Sequence, residues 1–119
     1  MKDMNANIFA KAWLDAWNSH DLDAVMHHYA DNIAFYSPFI KRVNNDPSGC
    51  IKSKPELRAY FERALKAYSD LHFEFYQVLE GVNSVVLYYK SVNNNLAAEM
   101  MVLDDNWKVT EVRAHYYQQ

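Results

Sequence analysis

Glu99 stands in the segment Leu-Ala-Ala-Glu-Met-Met-Val-Leu, with no other polar side chain on either flank. In a strand it shares a face with Ala97, Met101 and Leu103. Such a setting penalises the charged carboxylate and raises its pKa, so that near neutral pH the acid can donate a hydrogen bond or take up a proton. Its partner is either a ligand oxygen or a cation on a neighbouring strand, Arg113 or Lys90. Ser37, directly before Pro38, is a second candidate, but no base and orienting acid are spaced to activate its hydroxyl as a nucleophile. Trp13 and Trp17 lie four residues apart on one face of a helix, where they either fill a core or form the flat walls of a pocket.

Other reactive side chains carry less. His27 and His28 are adjacent on a helix and diverge by about 100°, so they cannot chelate one ion as an i, i+4 pair could. His20 sits in a turn, and His72 and His115 fall in outward-facing strand phase. No metal site is expected, nor any cofactor. Cys50 has no cysteine with which to form an internal disulfide and reads as a passive thiol. Asp21, Asp23 and Asp31 suit helix caps and first turns better than catalysis.

The elements that must position these groups are legible in outline. Between Asn5 and Ser19, Ile8, Phe9, Ala12, Trp13, Ala16 and Trp17 fall at helical spacing. Asp21 caps a second, short helix over Leu22 to Tyr29. The segment from Ile33 to Tyr36 has strand composition and stops at Pro38, after which Ile40 to Lys52 read as a loop. Ser53, Pro55 and Glu56 open a third helix with a capping box, and Leu57, Tyr60, Phe61, Ala64 and Leu65 form its stripe. From Leu71 the period changes to two, with strands over Leu71–Leu79, Ser84–Val92, Leu96–Leu103 and Lys108–Tyr116 joined by short turns rich in Asn, Asp and Gly. Helices followed by an antiparallel meander make an α+β fold, one domain over residues 1–119. In the second of these strands Val85, Leu87 and Tyr89 alternate with Val86, Tyr88 and Val92. Two apolar faces on one strand imply that the outer face is covered, most simply in a homodimer.

Bulk properties exclude several classes. Half of the 119 residues are apolar and only five are Gly or Pro, which disfavours disorder. The formal charge of −3, with scattered Lys and Arg, gives no footprint for nucleic acid. No apolar run is long enough to cross a membrane, and the N-terminal segment lacks a signal-peptide core, so a soluble cytoplasmic protein is expected.

The succession Ala16–Pro38, Lys54–Leu65, Asp70–Tyr89 and Leu103–Tyr116 resembles the SnoaL-like branch of the nuclear transport factor 2-like superfamily. The resemblance implies a cone-shaped α+β barrel in which three N-terminal helices wrap a curved antiparallel sheet, an apolar pocket within the cone, and dimerisation. Through it, Tyr29, Phe35, Phe61, Tyr88 and Tyr116 would join Trp13 and Trp17 around a small apolar organic ligand, with Met101, Val112 and Ala114 facing the same way. The C-terminal segment is also similar to that of ketosteroid isomerase, with Glu99 at the position of the acid that stabilises the enolate. Ser37 stands where that enzyme has its aspartate base, and Trp13 where it has an oxyanion tyrosine. A serine cannot replace a carboxylate base, so steroid Δ-isomerisation is not expected. What the resemblance leaves is a cofactor-independent isomerase, cyclase or hydratase with Glu99 as acid or base, or a non-catalytic module for ligand binding or dimerisation.

Overall fold

The computed structural model describes residues 4–117. The chain runs α1 (Ala6–Asn18), α2 (Leu22–His27), β1 (Tyr29–Tyr36), α3 (Pro38–Val43), β2 (Cys50–Ile51), α4 (Lys54–Ala67), β3 (Glu74–Gly81), β4 (Ser84–Lys90), β5 (Leu96–Leu103) and β6 (Val109–Tyr116), with a 3-10 turn at Val92–Asn94. The six strands form one curved, unclosed sheet in the order β2-β1-β6-β5-β4-β3, and the helices pack on its concave side. Among the described residues no helix is long and apolar enough to cross a membrane.

Helix starts follow the capping residues. Asn5 Oδ1 accepts from the Ile8 amide at 2.9 Å, Asp21 Oδ1 from Ala24 at 3.1 Å and Ser53 Oγ from Glu56 at 3.4 Å. The buried stripe of α1 is turned from the expected one. Ala6, Phe9, Ala10, Trp13, Leu14, Ala16 and Trp17 are buried, whereas Ile8 is 46% exposed. Phe9, Trp13 and Trp17 set the stripe, and Ile8 and Ala12 fall on its solvent side.

Three local expectations change for non-local reasons. The second helix ends at His27 rather than Tyr29, because Tyr29 opens β1 and pairs in parallel with Val109 of β6. The presumed loop after Pro38 holds α3 and β2. Ser37 Oγ caps α3 by accepting from the Phe39 amide at 3.2 Å, and Pro38 occupies its first turn. Strand β3 starts at Glu74 rather than Leu71 because the Asn18 side chain takes both backbone groups of Phe73, accepting from its N–H at 2.7 Å and donating to its carbonyl at 3.0 Å. This amide clamp ties the segment that carries the buried Leu71 and Phe73 to the end of α1.

In the meander, strict alternation sends Val85, Leu87, Tyr89, Ala97, Glu99, Met101, Val112 and Ala114 inward. Val86, Tyr88, Ala98, Met100 and Val102 lie on the outer face, half-buried. Few glycines serve the turns: Asn83, Asn93 and Asn94 take positive φ instead (48°, 57° and 59°), a conformation that asparagine tolerates better than most side chains.

Candidate functional site

Between α1, α4 and the concave face of the sheet lies a cavity of about 360 Å³. Its inner wall is aromatic. Trp13 stacks on Phe73 with centroids 5.9 Å apart and meets Tyr89 edge-on at 5.4 Å, while Trp17 meets Phe61 edge-on at 4.8 Å. Tyr29 and Phe35 extend this wall across β1, and Phe39 and Tyr116 continue it toward the opening with centroids 4.5 Å apart. The half-buried Tyr60 and Ala64 of α4 also line it, which is why only Leu57 and Phe61 of that helix are fully buried.

Glu99 is the only carboxylate among the described residues that line the cavity. It is 4% exposed, lies opposite Leu87 and Ala114 in the sheet, and accepts a hydrogen bond on Oε2 from the Tyr89 hydroxyl. Burial pushes its pKa up from 4.5 to about 7, and the Tyr89 hydrogen bond offsets part of that rise. Neither candidate cation reaches it. Arg113 pairs with Glu111 at 2.9 Å and lies 3.9 Å over the Tyr36 ring, and Lys90 pairs with Glu74 at 3.6 Å.

Two buried side-chain atoms make no hydrogen bond within 3.5 Å among the described residues, Glu99 Oε1 and Trp17 Nε1, and both side chains line this cavity, the Trp17 indole N–H lying near the Tyr29 hydroxyl without reaching hydrogen-bond length. An unpaired buried donor or acceptor costs roughly 1–3 kcal/mol, so each is a position at which a ligand oxygen or nitrogen gains on entry. Tyr29 accepts from Trp13 Nε1 at 3.0 Å, which leaves its own proton to be given elsewhere. The phenols of Tyr29, Tyr89 and Tyr116 are all held above the ordinary range, first by burial and next by the nearby Glu99 carboxylate. They therefore act as neutral donors. A carboxyl titrating near neutrality among neutral donors can give a proton to a ligand oxygen or take one from an adjacent carbon. Replacing Tyr89 with Phe removes the one hydrogen bond that favours ionisation, so Glu99 of Tyr89→Phe is expected to titrate above the parent's midpoint of about 7. The carboxyl stretch followed by infrared against pH reads this directly, and an unchanged or lower midpoint would contradict it.

Of the residues expected at the site, Trp13, Trp17, Tyr29, Phe35, Ser37, Phe61, Glu99 and Tyr116 are brought together around the cavity. Tyr88 is not among them: it points to the outer face beside Tyr76, with ring centroids 5.3 Å apart, and its neighbour Tyr89 takes the inner position. The turn centred on Asn93 held the missing signal. Equal steps outward from it pair Leu87 with Glu99, which puts the odd-numbered Tyr89 on the face of the acid. Met101, Val112 and Ala114 do face inward but do not line the cavity: Met101 and Val112 pair in the core beyond Glu99, and Ala114 sits opposite it in the sheet. Ser37 Oγ serves as a cap and faces Tyr116, and among the described residues that line the cavity there is no histidine to activate it. Spacing also gave no hint of Phe73 or Arg63, which enter the lining only through tertiary packing. Among the described residues no three metal-ligating side chains cluster. His28 packs edge-on against Phe9 with its pKa lowered to about 4, first by burial and then by His27 and Lys108.

A few helices on one curved α+β sheet define the class of protein. The chain belongs to the SnoaL-like domain family, whose sequence pattern matches residues 10–101. It is similar to a SnoaL-like protein of unknown function from Burkholderia thailandensis, with 40% identity over 95% of this chain and 94% of the other and a TM-score of 0.92. More distant folds include a protein of unknown function with a cystatin-like fold from Methylobium petroleophilum (12% identity, 96% of this chain and 76% of that one, TM-score 0.76). Another is a candidate ketosteroid isomerase from Kribbella flavida (14% identity, 96% and 78%, TM-score 0.70). At such identity these two share the fold alone. No protein of curated function matches the sequence significantly.

Proposed function

We propose that the protein binds a small, largely apolar organic molecule in the cone, with a ligand oxygen at Glu99, and that Glu99 acts on it as acid or base. The reaction class is a cofactor-independent isomerisation, cyclisation or hydration. The observation that carries this reading is the buried Glu99 carboxyl, its Oε1 unpaired in an aromatic cavity. Ser37 in place of a second carboxylate argues against steroid Δ-isomerisation, which needs a base to carry the proton between carbons. The same lack of a second carboxylate in the lining favours, as the alternative, a module that holds its ligand without turning it over. The half-buried outer face around Val86, Tyr88, Met100 and Val102 supports a homodimer through the sheet.

Native mass spectrometry tests these points together. The gently ionised protein is expected at twice the chain mass, carrying a stoichiometric small molecule that is lost on activation. With that molecule identified, Glu99→Gln separates the readings. Retained binding with at least about a hundredfold loss of turnover marks an enzyme. Lost binding, with no turnover in the parent, marks a receptor-like module. A bare chain mass rejects the dimer, and a parent protein that binds no apolar ketone or alcohol rejects the binding reading.

A further inference from the structure

The mouth of the cavity differs from its floor in charge. Arg63 is part of the lining, its guanidinium 5.9 Å from the centroid of Tyr60, and Arg42 lies 4.6 Å over Phe39. Phe39 and Tyr60 are both lining residues, so the two cations sit on the rings that frame the opening. Both arginines are exposed. The ion pairs among the described residues occupy Lys11, Lys54, Arg58, Lys90 and Arg113, and neither Arg42 nor Arg63 has a carboxylate of a described residue within 4.0 Å. Asn93 and Asn95, on the turn between β4 and β5, also contribute to the lining. In a chain of net charge −3, two unpaired guanidiniums beside one aromatic opening are a local reversal of sign.

Resting on the binding reading above, we infer that the ligand is an amphiphilic organic acid: a flat apolar body, a hydrogen-bonding oxygen at the Glu99 end, and a carboxylate at the mouth held by Arg63 and Arg42. Orientation follows from the same contrast. An anion at the floor would be stripped of water in a dry aromatic wall with no cation beside it, whereas at the mouth it keeps part of its hydration and meets two planar donor forks. A neutral ligand of the same shape has no such preference and can enter either way round.

The test compares two probes by calorimetry at about pH 6, above the range in which a simple carboxylic acid titrates. One is an acetylnaphthoate with its ketone and carboxylate at opposite ends of the rings, and the other is its methyl ester. The parent protein is expected to bind the acid about tenfold tighter than the ester. The double variant Arg42→Gln/Arg63→Gln, altered only at exposed positions, is expected to bind both at the parent's ester affinity. Raising salt to about 0.5 M should likewise shrink the parent's preference. Equal affinities in the parent, or a preference that survives the double variant, would overturn the inference while leaving the apolar site intact. Failure of both probes to bind the parent would overturn the binding reading and this inference with it.

Discussion

At pH 8 Glu99→Gln is expected to unfold at a temperature roughly 5–10 °C above the parent, and at pH 4 to show no such advantage. The folded carboxyl titrates at about 7 against an ordinary value of 4.5, so between those two the native state holds a proton that the unfolded chain has released. Stability from this group is therefore fully present below pH 4.5 and lost as pH rises through 7. The difference corresponds to about 3 kcal/mol, part of which the glutamine forfeits through its own poorly paired amide. The groups that face Glu99 do not blur the result. Tyr89 from β4, Tyr29 from β1, Tyr116 from β6 and Tyr60 from α4 stay neutral across this range, their pKa values all raised. His28 acts with the opposite sign, since its folded pKa of about 4 lies below the ordinary 6.5 and its contribution grows as pH rises between them. Because His28 is common to both proteins, the difference between their melting curves isolates Glu99. Parallel dependence of the two midpoints on pH would show that Glu99 is solvated or paired.

The second large effect is Trp13→Ala, expected to cost about 3–5 kcal/mol in urea denaturation, a third or more of a typical domain's stability. Trp13 is 1% exposed, packs on Trp17, Phe73 and Tyr89, and donates the hydrogen bond at 3.0 Å that fixes the Tyr29 hydroxyl. Its removal merges a void with an existing cavity, so collapse cannot recover the lost contacts. Ile8→Ala on the same helix is expected to cost less than about 1 kcal/mol. A Trp13→Ala cost as small as that of Ile8→Ala would mean that the aromatic wall carries little of the core.

These two residues also mark how far the sequence alone reaches. Helical spacing puts both Ile8 and Trp13 on the stripe of α1, because periodicity gives a stripe its width but not its centre. Caps, turns and strand alternation are short-range, and they are read well: Ser53 and Asp21 start their helices, and Glu99 faces inward. The end of α2, the existence of α3 and β2, and the start of β3 depend on β6, Gly49 and Asn18 respectively. Ser37 N donates to the Gly49 carbonyl at 2.9 Å, closing the segment that holds α3, and no local pattern encodes such a closure. Tyr88 and Tyr89 are identical in type and adjacent, so only the pairing of β4 with β5 decides which one faces the acid. The cationic mouth was invisible for the same reason, since Arg42 and Arg63 belong to different helices that only the fold brings together.

The parallel pairing of β1 with β6 sets the order in which this molecule can be built. Tyr29 meets Val109 and Tyr36 meets Arg113, so the strand that carries Tyr29 and Phe35 of the aromatic wall has one of its two sheet neighbours at the far end of the chain. During synthesis α1 and β1 leave the ribosome long before β6 exists, and until then Tyr29 and the rest of β1 lack the strand they pair with. The β3–β6 meander closes through short loops at small entropic cost, whereas docking β1 on β6 closes the longest loop between paired strands of the sheet. The cavity is therefore complete only in a chain translated through β6, which supplies Tyr116 to its lining and the pairing partner of β1, and a ligand that needs the complete cavity can stabilise only the finished fold.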